Sequence, residues 1–254
     1  NKYKFYSRAD RHFRYLRDEL FNSFEFKKIC KKFMKKKKFN YKNNKIFNKI
    51  WITKKEIKKI SDYILENNHN THLEVALATA FGCSIIGEIP EDLVISLAEQ
   101  IMKAGSKEIV LSDTTGYGDP SKVRKLVRKL KATIGDSKLN SIHLHNTRGL
   151  GLANAFAAIE EGITIIDSSI SGIGGCPFAP GASGNIVTED LVFMLDAMGI
   201  KTGIDIDALL AVNQMVKQAL PNEELYGFTI DSGLPKGYTG GGWGLTEWMI
   251  KAYT

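Results

Sequence analysis

The first 72 residues contain neither glycine nor proline, although the 254-residue chain has 23 glycines and 6 prolines. A folded α/β segment of that length needs glycine where helices end and the chain turns. Cysteine is also scarce. Cys30, Cys83 and Cys176 are too few and too scattered for a disulfide framework, which indicates a reducing compartment. No apolar run approaches the roughly 20 residues of a membrane-spanning helix, so we expect a soluble protein.

The net charge of +7 is distributed unevenly along the chain. Residues 1–72 carry 21 Lys and Arg against 7 Asp and Glu, whereas residues 73–254 carry 14 against 21. A basic protein would suggest nucleic acid or an anionic membrane as its partner. Because the larger part of the chain is acidic and no nucleic-acid-binding module is recognisable, we expect neither partner.

Two explanations of residues 1–72 stay open. The segment is rich in residues with A/T-rich codons (Lys, Asn, Phe, Ile and Tyr), as an out-of-frame translation of an A/T-rich gene would be. The alternative is a lysine-rich helical extension, because apolar residues follow helical spacing within Lys54–Glu66: Ile57, Ile60, Tyr63 and Ile64. The chain begins with Asn rather than Met, so we expect a fragment, a processed form or an incomplete reading of a longer protein.

Beyond residue 72, apolar strands alternate with helices in four units of about 30 to 40 residues. The predicted strands are 73–80, 108–111, 141–145 and 163–169, and the predicted helices are 90–104, 119–134, 149–161 and 188–198. Strands that are apolar throughout indicate a parallel sheet covered by helices. A doubly wound sheet and a (β/α)₈ barrel both fit this α/β pattern.

The polar residues favour the barrel. Asp113, His143, His145 and residues 167–169 lie in or just beyond the carboxyl ends of successive strands, where the active site of such a barrel gathers. The absence of a Gly-x-Gly-x-x-Gly motif after the first strand argues against a dinucleotide-binding sheet. We therefore predict a TIM-barrel-family fold of which this chain supplies about four β/α units, half of the full barrel.

His143 and His145 are separated by one residue in a predicted strand. Strand alternation places both side chains on one face and turns Leu144 towards the outer helices. Two imidazoles at the mouth of a barrel can bind one divalent ion. A structural interpretation, in which one His bonds to backbone and the other is exposed, has similar weight.

Four further residues have both a functional and a structural interpretation. Asn185 offers a hard oxygen ligand or caps a helix. Cys176, in a glycine-rich loop, is a reactive thiol or an inert one. Asp113 orients a ligand, accepts a proton or caps a turn. Glu189 either holds Asn185 in place without contacting the metal itself, or complements a helix dipole.

Two stretches carry a resemblance to a known family. Residues 141–149 read SIHLHNTRG, and residues 167–190 read DSSISGIGGCPFAPGASGNIVTED. With FGC at 81–83 and LSDTTG at 111–116, these strings resemble the hydroxymethylglutaryl-CoA lyases over residues 73–240. We accordingly divide the chain into residues 1–72, a partial lyase barrel over 73–240, and a tail over 241–254.

That family is a metal-dependent (β/α)₈ barrel that splits hydroxymethylglutaryl-CoA into acetyl-CoA and acetoacetate by retro-Claisen chemistry. The resemblance implies an acyl-CoA substrate, Mg²⁺ or Mn²⁺ as cofactor, and a homodimer or higher oligomer. It implies a cytoplasmic location in a bacterium and the mitochondrial matrix in a eukaryote. The four units would then be the second half of the barrel.

The resemblance also implies individual roles. His143 and His145 match the imidazole ligands of the metal, and Asn185 matches the amide ligand. Cys176 matches the catalytic loop cysteine, His143 would also shuttle a proton, and Asp113 would serve the catalytic site as an acid. Outside these, Glu189 supports the site, and the loop glycines that contact substrate are Gly174 and Gly175.

The chain departs from the family in two places. The family's first strand carries an Arg-Asp pair followed by Gly, and only Arg17-Asp18 resembles it, without the glycine and too close to Cys83. Asn146 stands where many members have Asp. One rival interpretation is therefore an inactive half-barrel. The other is an isopropylmalate or homocitrate synthase, which shares His-x-His but typically carries Glu-Arg in place of Cys176-Pro177.

Overall fold

Four parallel strands form a single sheet in the computed structural model, which describes residues 54–67, 71–84, 87–175 and 183–239. The strands follow one another in chain order: β1 (Glu74–Leu77), β2 (Glu108–Asp113), β3 (Ser141–Leu144) and β4 (Ile165–Asp167). Each neighbouring pair is parallel. The sheet therefore has the order of consecutive strands in a (β/α)₈ barrel, with half their number within the described residues.

Helices connect and follow the strands. They are α1 (Lys54–Glu66), α2 (Glu91–Lys103), α3 (Pro120–Ile134), α4 (Gly151–Glu160), α5 (Thr188–Ala197), α6 (Ile206–Ala219) and α7 (Phe228–Ser232). Two 3₁₀ turns cover Asp136–Lys138 and Ile170–Gly172. All four predicted strands and the helices predicted after residue 72 are present, and each predicted strand is within a few residues of the observed one. None of the described helices is both long and apolar enough to cross a membrane.

The core lies between the sheet and its helices. Leu111 of β2 pairs in register with Ile142 of β3, and Ile142 with Ile166 of β4, so one row of apolar side chains crosses the sheet. Leu144 belongs to the same buried cluster, as strand alternation predicts. Because these residues face the helices, their neighbours on β3 face the opposite side of the sheet, where the polar residues lie.

Helix α1 confirms the helix predicted over Lys54–Glu66. Its one buried side chain, Ile57, joins the core cluster, and the Ser61 hydroxyl donates to the Gly105 carbonyl at 3.3 Å. Gly105 has φ +107°, and a Cβ there would lie 2.2 Å from Ser61 Oγ. A glycine is therefore required at this close approach. Of residues 1–72, to which the out-of-frame hypothesis applies, residues 1–53 and 68–70 lie outside the described residues.

Replacing Ile57 by alanine tests whether α1 is an integral part of the fold. Ile57 is 3% exposed, so its truncation should lower the free energy of unfolding by about 3 kcal/mol through lost burial and a cavity. Leu65 on the same helix is 63% exposed, and Leu65→Ala should change stability by less than about 0.5 kcal/mol. Urea unfolding of both variants checks this. Equal effects would mean that α1 does not pack as described.

Candidate metal centre

The two histidines lie at the carboxyl end of β3, on the face of the sheet turned away from the core. His143 pairs in register with Ser112 of β2, and His145 follows directly after the strand. Their Nε2 atoms are 3.2 Å apart and their ring centroids 5.1 Å apart. The structure thus brings both imidazoles to one point.

The hydrogen bonds of the two rings fix which nitrogens carry protons. His145 Nδ1 lies 2.7 Å from the Ser183 carbonyl oxygen, which can only accept, so this nitrogen is the donor. His143 Nδ1 lies 3.2 Å from Asp167 Oδ2, and an ionised carboxylate is likewise an acceptor. Both Nε2 atoms are then left with lone pairs that face each other. Two lone pairs at 3.2 Å repel unless a cation or a proton lies between them.

Burial makes a proton the weaker candidate. The pKa of His145 is lowered mainly by burial, and the neighbouring His143 lowers it further, against the opposing effect of the Ser183 carbonyl. A metal ion instead uses both lone pairs. Mg²⁺ and Mn²⁺ hold octahedral ligands at about 2.1 Å, so two adjacent ligand atoms are separated by about 3 Å. The observed Nε2 to Nε2 distance of 3.2 Å fits that geometry.

Asn185 offers a third ligand atom. Its Nδ2 donates to the Ile173 carbonyl at 3.1 Å, and an isolated bridge joins its backbone to His145. Its Oδ1 is buried and has no hydrogen-bond partner among the described residues. A buried amide oxygen without a partner is costly, and coordination of a cation would remove that cost. The donor set of two imidazoles and one amide oxygen therefore fits a divalent metal.

Close backbone packing explains the glycines around this amide. A Cβ on Gly184 would lie 1.5 Å from the Gly172 carbonyl oxygen, and one on Gly174, which has φ +117°, would lie 2.7 Å from Asn185 Nδ2. Gly174 and Gly175 are exposed at the start of the glycine-rich loop. Cys176, the predicted catalytic thiol, lies outside the described residues, so its role stays a prediction.

Tyr226 is a part of the site that the sequence did not reveal. Its hydroxyl donates to the Asn185 carbonyl at 3.2 Å, and its ring occupies the space that a Cβ on Gly172 would need. Burial raises the pKa of its phenol, so the hydroxyl remains a donor at neutral pH. Tyr226 is 41 residues away from Asn185 in the chain, so no local pattern indicates the contact.

Asp113 is placed differently from an acid that reaches the metal. Its carboxylate is buried and accepts from the backbone N–H groups of Tyr117 and Gly118, both at 2.9 Å. Burial raises its pKa, and these N–H groups act in the opposite direction. Arg148 donates to the Thr115 and Gly116 carbonyls in the same loop. Asp113 and Arg148 therefore hold the loop after β2.

Replacing Asp113 by Asn tests that structural role. One amide N–H would then face a side-chain NH₂ instead of a carboxylate oxygen, so we expect about 2 kcal/mol less unfolding free energy. Residues that hydrogen-bond to a metal ligand change metal affinity about tenfold or more when they are replaced. The described hydrogen bonds of Asp113 go to its own loop instead, so Mn²⁺ affinity should stay within about twofold. Asp119→Asn is the matched control, since either residue caps α3. A large loss of Mn²⁺ affinity without lost stability would place Asp113 at the metal instead.

Glu189 is buried in the first turn of α5, and it contacts the glycine-rich loop rather than Asn185. Its carboxylate oxygens accept from the backbone N–H of Ser171 at 3.1 and 3.3 Å. Burial raises its pKa, and its hydrogen bonds with Ser171 and Asn213 lower it. Among its described hydrogen bonds none goes to Asn185, so any support that Glu189 gives to that residue passes through the loop.

A second group of possible metal ligands lies at the other end of the sheet. His72 Nε2 is 3.5 Å from Glu108 Oε1 and 3.8 Å from Glu74 Oε1, and the two glutamates pair in register where β1 and β2 begin. Active-site loops of parallel barrels lie at the carboxyl ends of strands, not at this end. The contacts of the His72 ring with the two carboxylates account for the group without a metal.

The chain is similar in sequence to characterised lyases. It is 45% identical over 146 residues to (R)-citramalyl-CoA lyase of Chloroflexus aurantiacus, covering 58% of this chain and 46% of that protein. It is 40% identical over 144 residues to hydroxymethylglutaryl-CoA lyase YngG of Bacillus subtilis, covering 57% and 48%. The chain thus spans about half the length of these curated relatives.

A solved structure has a similar fold. An HMG-CoA lyase from Acinetobacter baumannii, in complex with coenzyme A and 3-methylmalate, superposes with a TM-score of 0.66 at 39% identity. The match covers 75% of this chain and 62% of that one. The predicted partial TIM barrel is therefore confirmed.

The HMGL-like family model matches residues 25–216. The match begins within the glycine-free segment, earlier than residue 73, where the sequence resemblance begins. Because it spans well over half of the chain, it confirms the resemblance found in the sequence: the chain belongs to the HMGL-like family.

Proposed function

We propose that this chain supplies the metal-binding half of a divalent-metal-dependent lyase that cleaves hydroxymethylglutaryl-CoA, or a related 3-hydroxyacyl-CoA, by retro-Claisen chemistry. The observation that carries the proposal is the convergence of the two Nε2 lone pairs of His143 and His145 beside the buried, unpartnered Oδ1 of Asn185. The names of the relatives, a citramalyl-CoA lyase and a hydroxymethylglutaryl-CoA lyase, supply the substrate class.

The reaction requires a proton to leave one atom and another to arrive elsewhere. The tertiary hydroxyl of the substrate loses its proton, and the C–C bond breaks to give a ketone and a thioester enolate. The enolate carbon is then protonated to give acetyl-CoA. A bound Mg²⁺ or Mn²⁺ would supply positive charge beside the hydroxyl and carboxyl oxygens, which lowers the pKa of the hydroxyl.

Hydrogen bonds orient the two rings that would hold the metal. Ser183 fixes the tautomer of His145, and Asp167 orients the His143 ring by accepting from its Nδ1–H. With Nε2 on the metal and Nδ1–H donated to Asp167, His143 has no free nitrogen for the substrate proton, so we assign the transfer of that proton to solvent to the half-exposed Asp167 carboxylate. We assign Cys176 to the protonation of the enolate, with Gly174 and Gly175 leaving room for the thioester.

The substrate is tested by parallel assays. By their names, the relatives act on hydroxymethylglutaryl-CoA and on citramalyl-CoA. The Asn146 side chain does not select between these two substrates by direct contact, because its Oδ1 accepts from the Gly151 N–H at 3.0 Å. Acetyl-CoA release from each thioester, with Mn²⁺ present, decides which is cleaved. We expect hydroxymethylglutaryl-CoA to be the substrate, and release from (R)-citramalyl-CoA alone would overturn that choice.

The second candidate is a half-built site that binds metal without turnover. The chain spans about half of its relatives, and Arg17-Asp18, the only Arg-Asp pair resembling that of the family's first strand, lies outside the described residues. Mn²⁺ binding without acetyl-CoA release from either thioester would establish this candidate. Absence of Mn²⁺ binding would contradict both. Assembly into a homodimer, and the compartment, stay predictions.

A further inference from the structure

Ser171 has an unusual backbone conformation where the glycine-rich loop leaves β4. Its φ of 56° and ψ of 23° are left-handed, and it is the one non-glycine residue with positive φ in the described part of the chain. That conformation costs an ordinary residue about 1–2 kcal/mol. Such strain persists only where the surrounding structure enforces it, and it often marks a functional constraint.

Three separate parts of the chain hold Ser171. Its N–H donates to the buried Glu189 carboxylate of α5, and its carbonyl accepts from the Tyr226 N–H at 3.3 Å. Its hydroxyl accepts from Nδ2 of Asn213 on α6. Every polar group of Ser171 is therefore bonded, and Ser171 itself is fully buried.

Asn213 is an unexpected residue for its position. It is the one buried residue of α6, and it is 1% exposed, where an apolar side chain would normally anchor the helix. Its Oδ1 is buried and without a partner among the described residues. Burying an unpaired amide oxygen is unfavourable, so helix docking alone does not explain the choice of Asn. The hydrogen bonds of Asn213 do explain it, because they go to Ser171 and to the Glu189 carboxylate that also accepts from Ser171.

A short chain of contacts connects Ser171 with the candidate metal centre. Two residues further on, the Ile173 carbonyl accepts from Asn185 Nδ2, and this bond turns the Asn185 amide so that Oδ1 is left free. The direction of the backbone at Ser171 determines where that carbonyl lies. A change at Ser171 would therefore rotate or release the third ligand.

We propose that Asn213 is a positioning residue of the metal centre: it holds Ser171 in the left-handed conformation and thereby orients the Asn185 amide. The inference rests on the proposed function, because it takes Asn185 as a metal ligand. The sequence resemblance left α6 without a role. With this inference, α6 controls the conformation of the start of the glycine-rich loop.

Mn²⁺ affinity, measured from the electron paramagnetic resonance signal of free Mn²⁺, tests the proposal. Asn213→Ala should weaken binding roughly tenfold, the lower end of outer-shell effects. Ser171→Ala should do the same, because it removes the hydroxyl that Asn213 holds. Gln214→Ala, at the exposed neighbouring position on α6, should leave affinity unchanged. Unchanged affinity in both Asn213→Ala and Ser171→Ala would overturn the proposal.

A rescue experiment separates positioning from simple destabilisation. Glycine adopts the left-handed conformation without strain, so Ser171→Gly combined with Asn213→Ala should regain most of the lost Mn²⁺ affinity. A purely structural role of Asn213 in docking α6 would not be rescued in this way. Failure of the double variant to bind Mn²⁺ better than Asn213→Ala would contradict the proposed route through Ser171.

Hydrogen exchange tests the same step without metal. In the metal-free protein, the Ser171 amide should exchange several-fold faster in Asn213→Ala than in the unsubstituted chain, and Gln214→Ala should not change it. If the amide responds but the unsubstituted chain binds no Mn²⁺, the proposed function fails while the control of Ser171 by Asn213 stands. An unaltered exchange rate would reject that control directly.

Discussion

Replacing His145 by alanine should reduce Mn²⁺ affinity by more than about 100-fold, because loss of a ligand exceeds the tenfold to 100-fold effect of losing an outer partner. The ring supplies one of the two Nε2 lone pairs that face each other at 3.2 Å, and its tautomer is fixed by Ser183. Without it, His143 and Asn185 offer only two ligand atoms. Calorimetric titration with Mn²⁺ measures the loss.

His72→Ala is the matched control for that substitution. His72 belongs to the other group of possible ligands, with Glu74 and Glu108, at the opposite end of the strands. Its removal should leave Mn²⁺ affinity unchanged. If His72→Ala abolished binding and His145→Ala did not, the metal would belong to the His72 group, and the candidate centre would be wrong.

Gly184→Ala should lower the free energy of unfolding by about 3 kcal/mol or more, as overpacking against rigid atoms does. A Cβ there would lie 1.5 Å from the Gly172 carbonyl oxygen and 2.7 Å from its carbon. Both are backbone atoms, so no side-chain rotation relieves the clash. If the loop segments around Gly172 and Gly184 move apart, Asn185 is displaced, so Mn²⁺ affinity should fall as well.

Gly199→Ala separates this clash from backbone strain. Gly199 has φ +75°, and no heavy atom of the described residues lies within 4 Å of the point that a Cβ there would occupy, so its substitution should cost only about 1 kcal/mol of strain. Gly184 does not have positive φ, so its cost comes from contact alone. Urea unfolding of both variants gives the comparison. A smaller loss for Gly184→Ala than for Gly199→Ala would contradict the close approach of the two loop segments.

Most of the fold was predictable because its signals are local. Ile109, Val110 and Leu111 of β2 form a short uninterrupted apolar run, and such a run between helices indicates a buried parallel strand. Asp119 and Pro120 indicate the start of α3, and Asp119 does accept from the Lys122 N–H. Helix α6 was not predicted although a local signal exists: Asp205 caps its first turn.

Strand alternation made the two histidines of the candidate site predictable, and the family resemblance indicated Asn185. Alternation along β3 places His143 and His145 together, and the structure agrees. The orientation of Asp113 towards its own loop depends on the turn after β2, which residue type alone does not reveal. Tyr226 and Asn213 reach the site across about 40 residues of chain, and such tertiary contacts leave no periodic pattern.

Electron spin-echo modulation of bound Mn²⁺ tests whether His143 and His145 together bind the metal. We expect one Mn²⁺ per chain with couplings from two imidazole nitrogens, of which His143→Ala and His145→Ala each remove one. Bound Mn²⁺ with a single nitrogen coupling that survives both substitutions and disappears in His72→Ala would assign the metal to His72 instead.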